Sequence, residues 1–269
     1  MKQKMFLVAI VVMAASLLQA QSAKQLAREV YQNSGMNSIV KVLDQQFANQ
    51  MNMNPTFATK PEAEPFKKAM LGVMSAKNIE KYLLDYLEEE VPLEELETMA
   101  GIYKDPFVNE FTALELSVQQ PEKQQEMAAY KTQLVTNPPS AERLKLIDQL
   151  IENQNTAETT KEMTLGMVMA MMRGGNALQP EDKRMNEEQM MERMNQAFPA
   201  NFETMINEAI QSNSLFIYKD VPDDKLAKYV AIWSSEAGKT TMANFMNAIQ
   251  FSFEKVGEQM GKSLASVKK

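Results

Sequence analysis

The stretch "IWSSEAGKTT", Ile232 to Thr241, ends in Gly238, Lys239 and a threonine, as a phosphate-binding loop does. A loop of the G-x-x-x-x-G-K-[ST] kind follows a strand and opens a helix, and its glycines let backbone N–H groups close on the phosphates. Here Trp233 occupies the place of the first glycine. The preceding "PDDKLAKYVAIW" puts Leu226, Tyr229, Val230 and Trp233 at i, i+3, i+4 and i+7, the apolar period of a helix and not of a strand. The stretch therefore reads as helix, turn and second helix, and the glycine belongs to the junction rather than to a nucleotide site.

A second copy of this pattern lies upstream. "VPLEELETMAGIYKDP" starts at Val91 and "VPDDKLAKYVAIWSSE" at Val221, and the two match without a gap. Both open on Val-Pro followed by acidic residues, which suits Pro92 and Pro222 to the first helical position and places carboxylates at the positive end of the helix dipole. Leu96, Met99, Ala100 and Tyr103 repeat the spacing of Leu226, Tyr229, Val230 and Trp233. Over Val91 to Gln120 six residues are identical (Val91, Pro92, Leu96, Ile102, Ala113 and Gln120), where chance gives roughly two. The matched helix boundaries strengthen what identity alone suggests.

"SAKQLAREV" at Ser22 and "SAERLKLID" at Ser140 each open a unit, and the linker "TNPP" stands just before the second. The expected organisation is a signal peptide at 1–20, helical repeat unit one at 21–135 and helical repeat unit two at 140–269, the second lengthened by a Met- and Gly-containing insertion. The fold class read from this is all-α, two tandem helical bundles.

The two copies resemble the exported bacterial proteins of domain-of-unknown-function family twenty-fifty-nine, whose signature is close to Phe-Tyr-x-Ser-Pro-x-Gly-Lys after a leucine-bearing helix. "IYKDPFVNE" supplies Tyr103 and Pro106 of that pattern, and "IWSSEAGKT" supplies Ser235, Gly238 and Lys239. Unit one has Val108 where the glycine stands, and unit two has Trp233 for the tyrosine and Glu236 for the proline. The resemblance implies a helical envelope protein with no established chemistry.

Composition agrees with helices. Only 9 glycines occur in 269 residues, and Ala, Leu, Met, Glu, Gln and Lys, all strong helix formers, dominate. Breaks are expected at Asn33–Gly35, Met53–Pro65, Thr136–Ser140 and Gly174–Asp182, each rich in turn formers. Phe66 to Glu90 reads as one long amphipathic stretch, with Met70, Val73, Met74, Ile79, Leu83, Tyr86 and Leu87 near one face. A closing helix from Thr241 to Leu264 carries an apolar stripe that fits a lid over the Leu226 to Trp233 face.

The first twenty residues have Lys2 and Lys4, an apolar run from Met5 to Leu18 and a small residue, Ala20, at the expected cut, the layout of a secretory signal peptide. The apolar run is shorter than the roughly 18 to 20 residues that span a bilayer. Its removal leaves 249 residues and takes the formal charge from −7 to −9. An acidic chain without a basic stretch gains nothing from counterion release, so no nucleic-acid partner is expected, and no transmembrane span after cleavage.

With 0 cysteines the exported chain has no disulfides, and with 0 histidines it lacks the usual general base, the Ser-His pair and most zinc sites. No catalytic residue, metal ligand or cofactor is assigned, and no convergent polar cluster emerges from the spacing. The reading is a non-catalytic exported envelope protein, periplasmic or secreted, that binds a protein partner or apolar ligand through helical surfaces. The residues named as structural repeat positions are Val91, Pro92, Leu96, Tyr103, Pro106, Val221, Pro222, Leu226, Trp233, Gly238 and Lys239.

Two alternatives carry chemistry. Acidic runs such as Glu88, Glu89, Glu90, Glu94 and Glu95 would serve a hydrolase of envelope polymer if two carboxyls shared a cleft, although helix geometry scatters them over a solvated face. The 23 methionines, with Met163, Met167 and Met171 in one run and Met185, Met190, Met191 and Met194 in another, would suit Cu(I), or equally an irregular helical core. Core packing is the reading preferred for them.

The single tryptophan tests the helical reading. Trp233 is expected inside, with blue-shifted fluorescence in the native protein, and Trp233→Ala is expected to cost roughly 3 to 5 kcal/mol in a urea unfolding titration. A water-like emission maximum contradicts it.

Overall fold

The computed structural model describes residues 21–53, 63–177 and 179–266, and every regular element among them is helical. The predicted signal segment, and most of the break predicted at Met53–Pro65, lie outside the described residues.

In the first half α1 covers 21–33, α2 Met36–Met53, α3 Glu64–Val73, α4 Ala76–Glu89, α5 Leu93–Lys104, α6 Pro106–Ser117 and α7 Pro121–Thr136. The second half holds α8 Ala141–Asn153, α9 Thr156–Ala177, α10 Glu187–Ala197, α11 Phe202–Ile217, α12 Asp223–Ser234 and α13 Glu236–Ser266.

The two Val-Pro starts behave alike. Pro92 and Pro222 sit at φ −55°, ψ 141° and φ −59°, ψ 145°. This extended backbone makes each proline the N-cap residue, one place before the first helical position expected from sequence. Glu94, Glu95, Asp223 and Asp224 fill the first turns, where the exposed N–H groups favour negative charge. Leu96, Met99, Ala100 and Tyr103 are buried on α5, as are Leu226, Tyr229, Val230 and Trp233 on α12.

Each helix ends on an extended residue whose side chain caps the next helix. Asp105 accepts a hydrogen bond from the Phe107 N–H at 2.8 Å, and Ser235 Oγ accepts from the Gly238 N–H at 3.0 Å. The Lys239 N–H donates to the Ser235 carbonyl at 2.9 Å. The backbone donors of the would-be phosphate loop are thus spent on starting α13. Pro106 and Lys239 are exposed, whereas Val108 and Gly238 are buried.

Gly238 is required by the closeness of that junction. A Cβ there would stand 2.3 Å from the Ile232 carbonyl oxygen and 2.7 Å from Trp233 Cα, backbone atoms that cannot swing aside.

The 31-residue α13 is the spine of the molecule, roughly 46 Å long at 1.5 Å per residue. It lies against α4, α3 and α5 of the first half and against α9, α12 and α8 of the second. Phe245, Met246, Ile249, Val256 and Met260 are buried along it. The closing helix covers the Leu226 to Trp233 face as expected, and it also packs on helices of the first half. A single apolar core therefore runs from Ala27 to Met260 through both halves.

Three boundaries differ from the sequence reading. The stretch Phe66 to Glu90 breaks at Ser75, which is extended (φ −64°, ψ 148°), while Ser75 Oγ and Asn78 Nδ2 each donate to the Gly72 carbonyl at 2.9 Å. These side chains satisfy the carbonyls that the end of α3 leaves unpaired. Conversely, α9 passes through Gly174 and Gly175 to Ala177, since a helical glycine costs only about 1 kcal/mol against alanine. The turn from α8 to α9 is made by Asn155 at φ 51°, a backbone region that asparagine tolerates better than most residues.

Gly238→Ala is expected to destabilise the protein by about 1 to 3 kcal/mol, the usual cost of forced overpacking. Gly101 is exposed within α5 and an added Cβ meets nothing within 4 Å, so Gly101→Ala is expected to stabilise by roughly 0.5 to 1 kcal/mol. Urea denaturation of the two variants measures both signs.

Candidate functional site

A cavity of about 640 Å³ opens where α2 of the first half faces α9, α12 and α13 of the second. That volume is in the range of small-molecule sites, roughly 300 to 1,000 Å³. Met36, Ile39 and Leu43 of α2 oppose Met163 and Val168 of α9, and Met242, Phe245 and Ile249 of α13 complete an apolar wall. Threonines 156, 159, 160 and 164 add hydroxyls along α9, and Gln46, Gln50 and Gln154 add amides.

Tyr103 and Trp233 both line this cavity. Their rings are 5.8 Å apart, Tyr103 meets Phe245 edge-on at 5.6 Å, and Tyr229 meets Trp233 edge-on at 5.9 Å. The buried aromatic residues near the ends of α5 and α12 are thereby brought into contact. Tyr229 also stacks on Phe111 of α6, with centroids 4.0 Å apart and planes 14° from parallel.

Among the described residues of the lining, Glu115 is the one carboxylic acid, and no basic side chain stands with it. Its Oε1 accepts from the Tyr218 hydroxyl at 2.5 Å and from the Tyr229 hydroxyl at 2.9 Å. The Gln154 amide donates to the Tyr229 hydroxyl at 3.4 Å and also favours the ionised carboxylate.

Tyr218 is held from behind. Arg143, only 12% exposed, donates to the carbonyls of Tyr218 and Val221 and pairs with Asp223. One guanidinium thus closes the end of α11, where Tyr218 reaches Glu115, and fixes the start of α12, the helix that carries Tyr229.

Burial pushes the Glu115 carboxyl above the usual glutamate range, opposed by the hydrogen bonds from Tyr218, Tyr229 and Gln154. Burial, and then the nearby Glu115 charge, hold Tyr218 and Tyr229 well above the ordinary phenol value. The phenols remain protonated donors, which is what a carboxylate in a low-dielectric site needs. The buried Trp233 Nε1 has no aligned acceptor, although its N–H lies near enough to Tyr229 to oppose the rise of that phenol slightly.

The cluster of Glu115, Tyr218, Tyr229 and Gln154 corrects the expectation that no polar groups converge. Its signal was present in the sequence: Val108, Phe111, Thr112 and Glu115 follow i, i+3, i+4 and i+7, which puts the carboxylate on the inward stripe of α6. What the spacing omits is the origin of its partners, Gln154, Tyr218 and Tyr229, from the other half. The acidic run itself does not gather: Glu88, Glu89, Glu90 and Glu94 are half-buried or exposed, and Glu95 accepts from Asn244 Nδ2 at 2.7 Å.

Of the repeat positions, Tyr103 and Trp233 line the cavity, while Val91, Leu96 and Leu226 lie in the core and Pro92, Pro222, Pro106 and Lys239 face outward. Val221 is half-buried, and Gly238 makes the tight junction below Trp233. Met190 and Met194 form a satellite core with Met169, packed by Leu165, Val168, Met172, Met185 and Phe198, and Met191 is exposed. Comparison of the chain with family models, curated proteins and solved structures gives no match.

Because the folded state holds the Glu115 proton more tightly than the unfolded chain, the associated stability is present below the ordinary glutamate range. It is lost as pH rises through that range to the raised folded value. The melting temperature of Glu115→Gln relative to wild type is therefore expected to rise between acid and neutral pH. A difference that is flat with pH contradicts the burial of this carboxyl.

Proposed function

We propose that this chain is a non-catalytic exported envelope protein that carries a small apolar or amphipathic molecule in the cavity between its two halves. The observation that carries the reading is the cavity itself: ligand-sized, mostly apolar, and provided at one end with the Glu115, Tyr218 and Tyr229 cluster that would fix orientation. Binding inside the molecule is favoured over docking on a helical surface, because the stripe of α13 is already covered by its neighbours.

Duplication of a helical hairpin is part of this reading. The matched N-caps, the matched buried positions of α5 and α12, and the paired roles of Asp105 and Ser235 support it. So does the resemblance of both copies to the exported helical family named above. In such a duplicate, the seam between copies is where a new cavity arises without disturbing either hairpin.

Export rests on the charged, apolar and small-residue layout of residues 1–20. No described helix is long and apolar enough to cross a membrane. A paired-carboxylate hydrolase is the alternative from another class, and among the described residues lining the cavity Glu115 is the one carboxylate, whereas that chemistry requires two. For the methionines, the apolar surroundings of Met190 and Met194 support packing rather than Cu(I) binding.

N-phenyl-1-naphthylamine, a neutral apolar probe, is expected to bind the chain saturably with enhanced emission, and Thr160→Phe, which fills the cavity from α9, is expected to abolish it. Unsaturable or unchanged binding in the variant removes the cavity as the site. Amino-terminal sequencing of the protein from an envelope fraction is expected to begin at Gln21.

A further inference from the structure

We infer that the ligand is a cationic amphiphile, a primary alkylammonium whose head sits on Glu115 among the rings of Tyr103, Tyr229 and Trp233 and whose tail lies along the α2 and α9 wall. This rests on the cavity being a ligand site, as proposed above. Three features of the lining select the charge.

The first is the uncompensated acid. Among the described residues Glu115 is the lone carboxylate of the lining, no lysine or arginine stands there, and no ion pair includes Glu115. A buried carboxylate without a cation is costly even when hydroxyls donate to it, and a ligand ammonium would remove that cost.

The second is the aromatic surround. Tyr103, Tyr229 and Trp233 all line the cavity, the two tyrosines each in ring contact with the tryptophan, and aromatic rings attract an ammonium in a desolvated site. The third is hydrogen bonding. An ammonium brings donors only, and the threonine and glutamine side chains of the lining offer the acceptors.

The competing head groups fare worse. An anionic amphiphile would meet Glu115 as a like charge with no basic side chain to receive it. A neutral alcohol would leave the carboxylate uncompensated. The tail region, by contrast, is indifferent to the head group, since Ile39, Leu43, Met163, Val168 and Ile249 offer only apolar contact.

The test compares dodecylamine, dodecanol and dodecanoate at neutral pH, the two ionic amphiphiles below their micelle concentrations and dodecanol below its solubility limit, titrated into the mature chain. Trp233, the 1 tryptophan of the protein, is the reporter, with calorimetry as a second readout. Dodecylamine is expected to bind on the order of tenfold or more tightly than dodecanol, the size of one charge-assisted contact, and dodecanoate weakest. Glu115→Gln is expected to bring the amine's affinity down to that of dodecanol. If dodecanol or dodecanoate binds as tightly as the amine, or if the amine keeps its margin in the variant, the charge assignment is overturned while the cavity reading stands. If none of the three binds, both fall. The wild-type ranking decides the question by itself if the variant does not fold.

Discussion

The stack of Tyr229 on Phe111 is the contact on which the rest of the architecture depends. It joins α12 of the second half to α6 of the first at van der Waals distance, and aromatic pairs of this kind add to the burial of their large apolar area. Tyr103, Trp233 and Phe245 extend the contact along the seam. Because these residues come from both Val-Pro hairpins and from α13, the halves cannot separate without exposing the largest side chains of the core.

That seam also explains why a carboxylate is tolerated inside. Tyr229 presents its face to Phe111 and its hydroxyl to Glu115, so one residue both packs the interface and satisfies the acid. Tyr218 does the same with its ring near Phe111 and its hydroxyl on the same oxygen. Arg143 then fixes the backbone from which Tyr218 projects and the turn that leads into α12. The two phenols of the polar cluster thus have rings committed to the apolar core, which holds their hydroxyls in place on the carboxylate.

The cavity follows from where the two halves do not meet. α2 and α9 each leave a turn enforced by an unusual residue, Gly35 at φ 77° before α2 and Asn155 at φ 51° before α9. Residues of both helices line the cavity, and α13 contributes Met242, Phe245 and Ile249 to its wall. Close packing at Gly238 and open space beside Trp233 are therefore two ends of one device: the tight junction fixes the direction in which α13 leaves the seam.

The sequence by itself determined the helices and much of what they bury. Apolar residues recurring at 3.6-residue spacing, few glycines and acidic first turns are local properties, and they suffice to place Leu96, Tyr103, Leu226 and Trp233 inside. Local signals also located the Ser34–Gly35 and Thr136–Ser140 turns, while the break at Ser75 depended on side-chain bonds that composition does not register. Only the tertiary structure decided that the two halves of the chain share one core, that α13 serves both, and that Glu115 meets Tyr218, Tyr229 and Gln154. The physical reason is distance along the chain. Periodicity fixes which face of a helix turns inward, but the partner that face meets, and the gap left between two such faces, are set by how the helices cross in space.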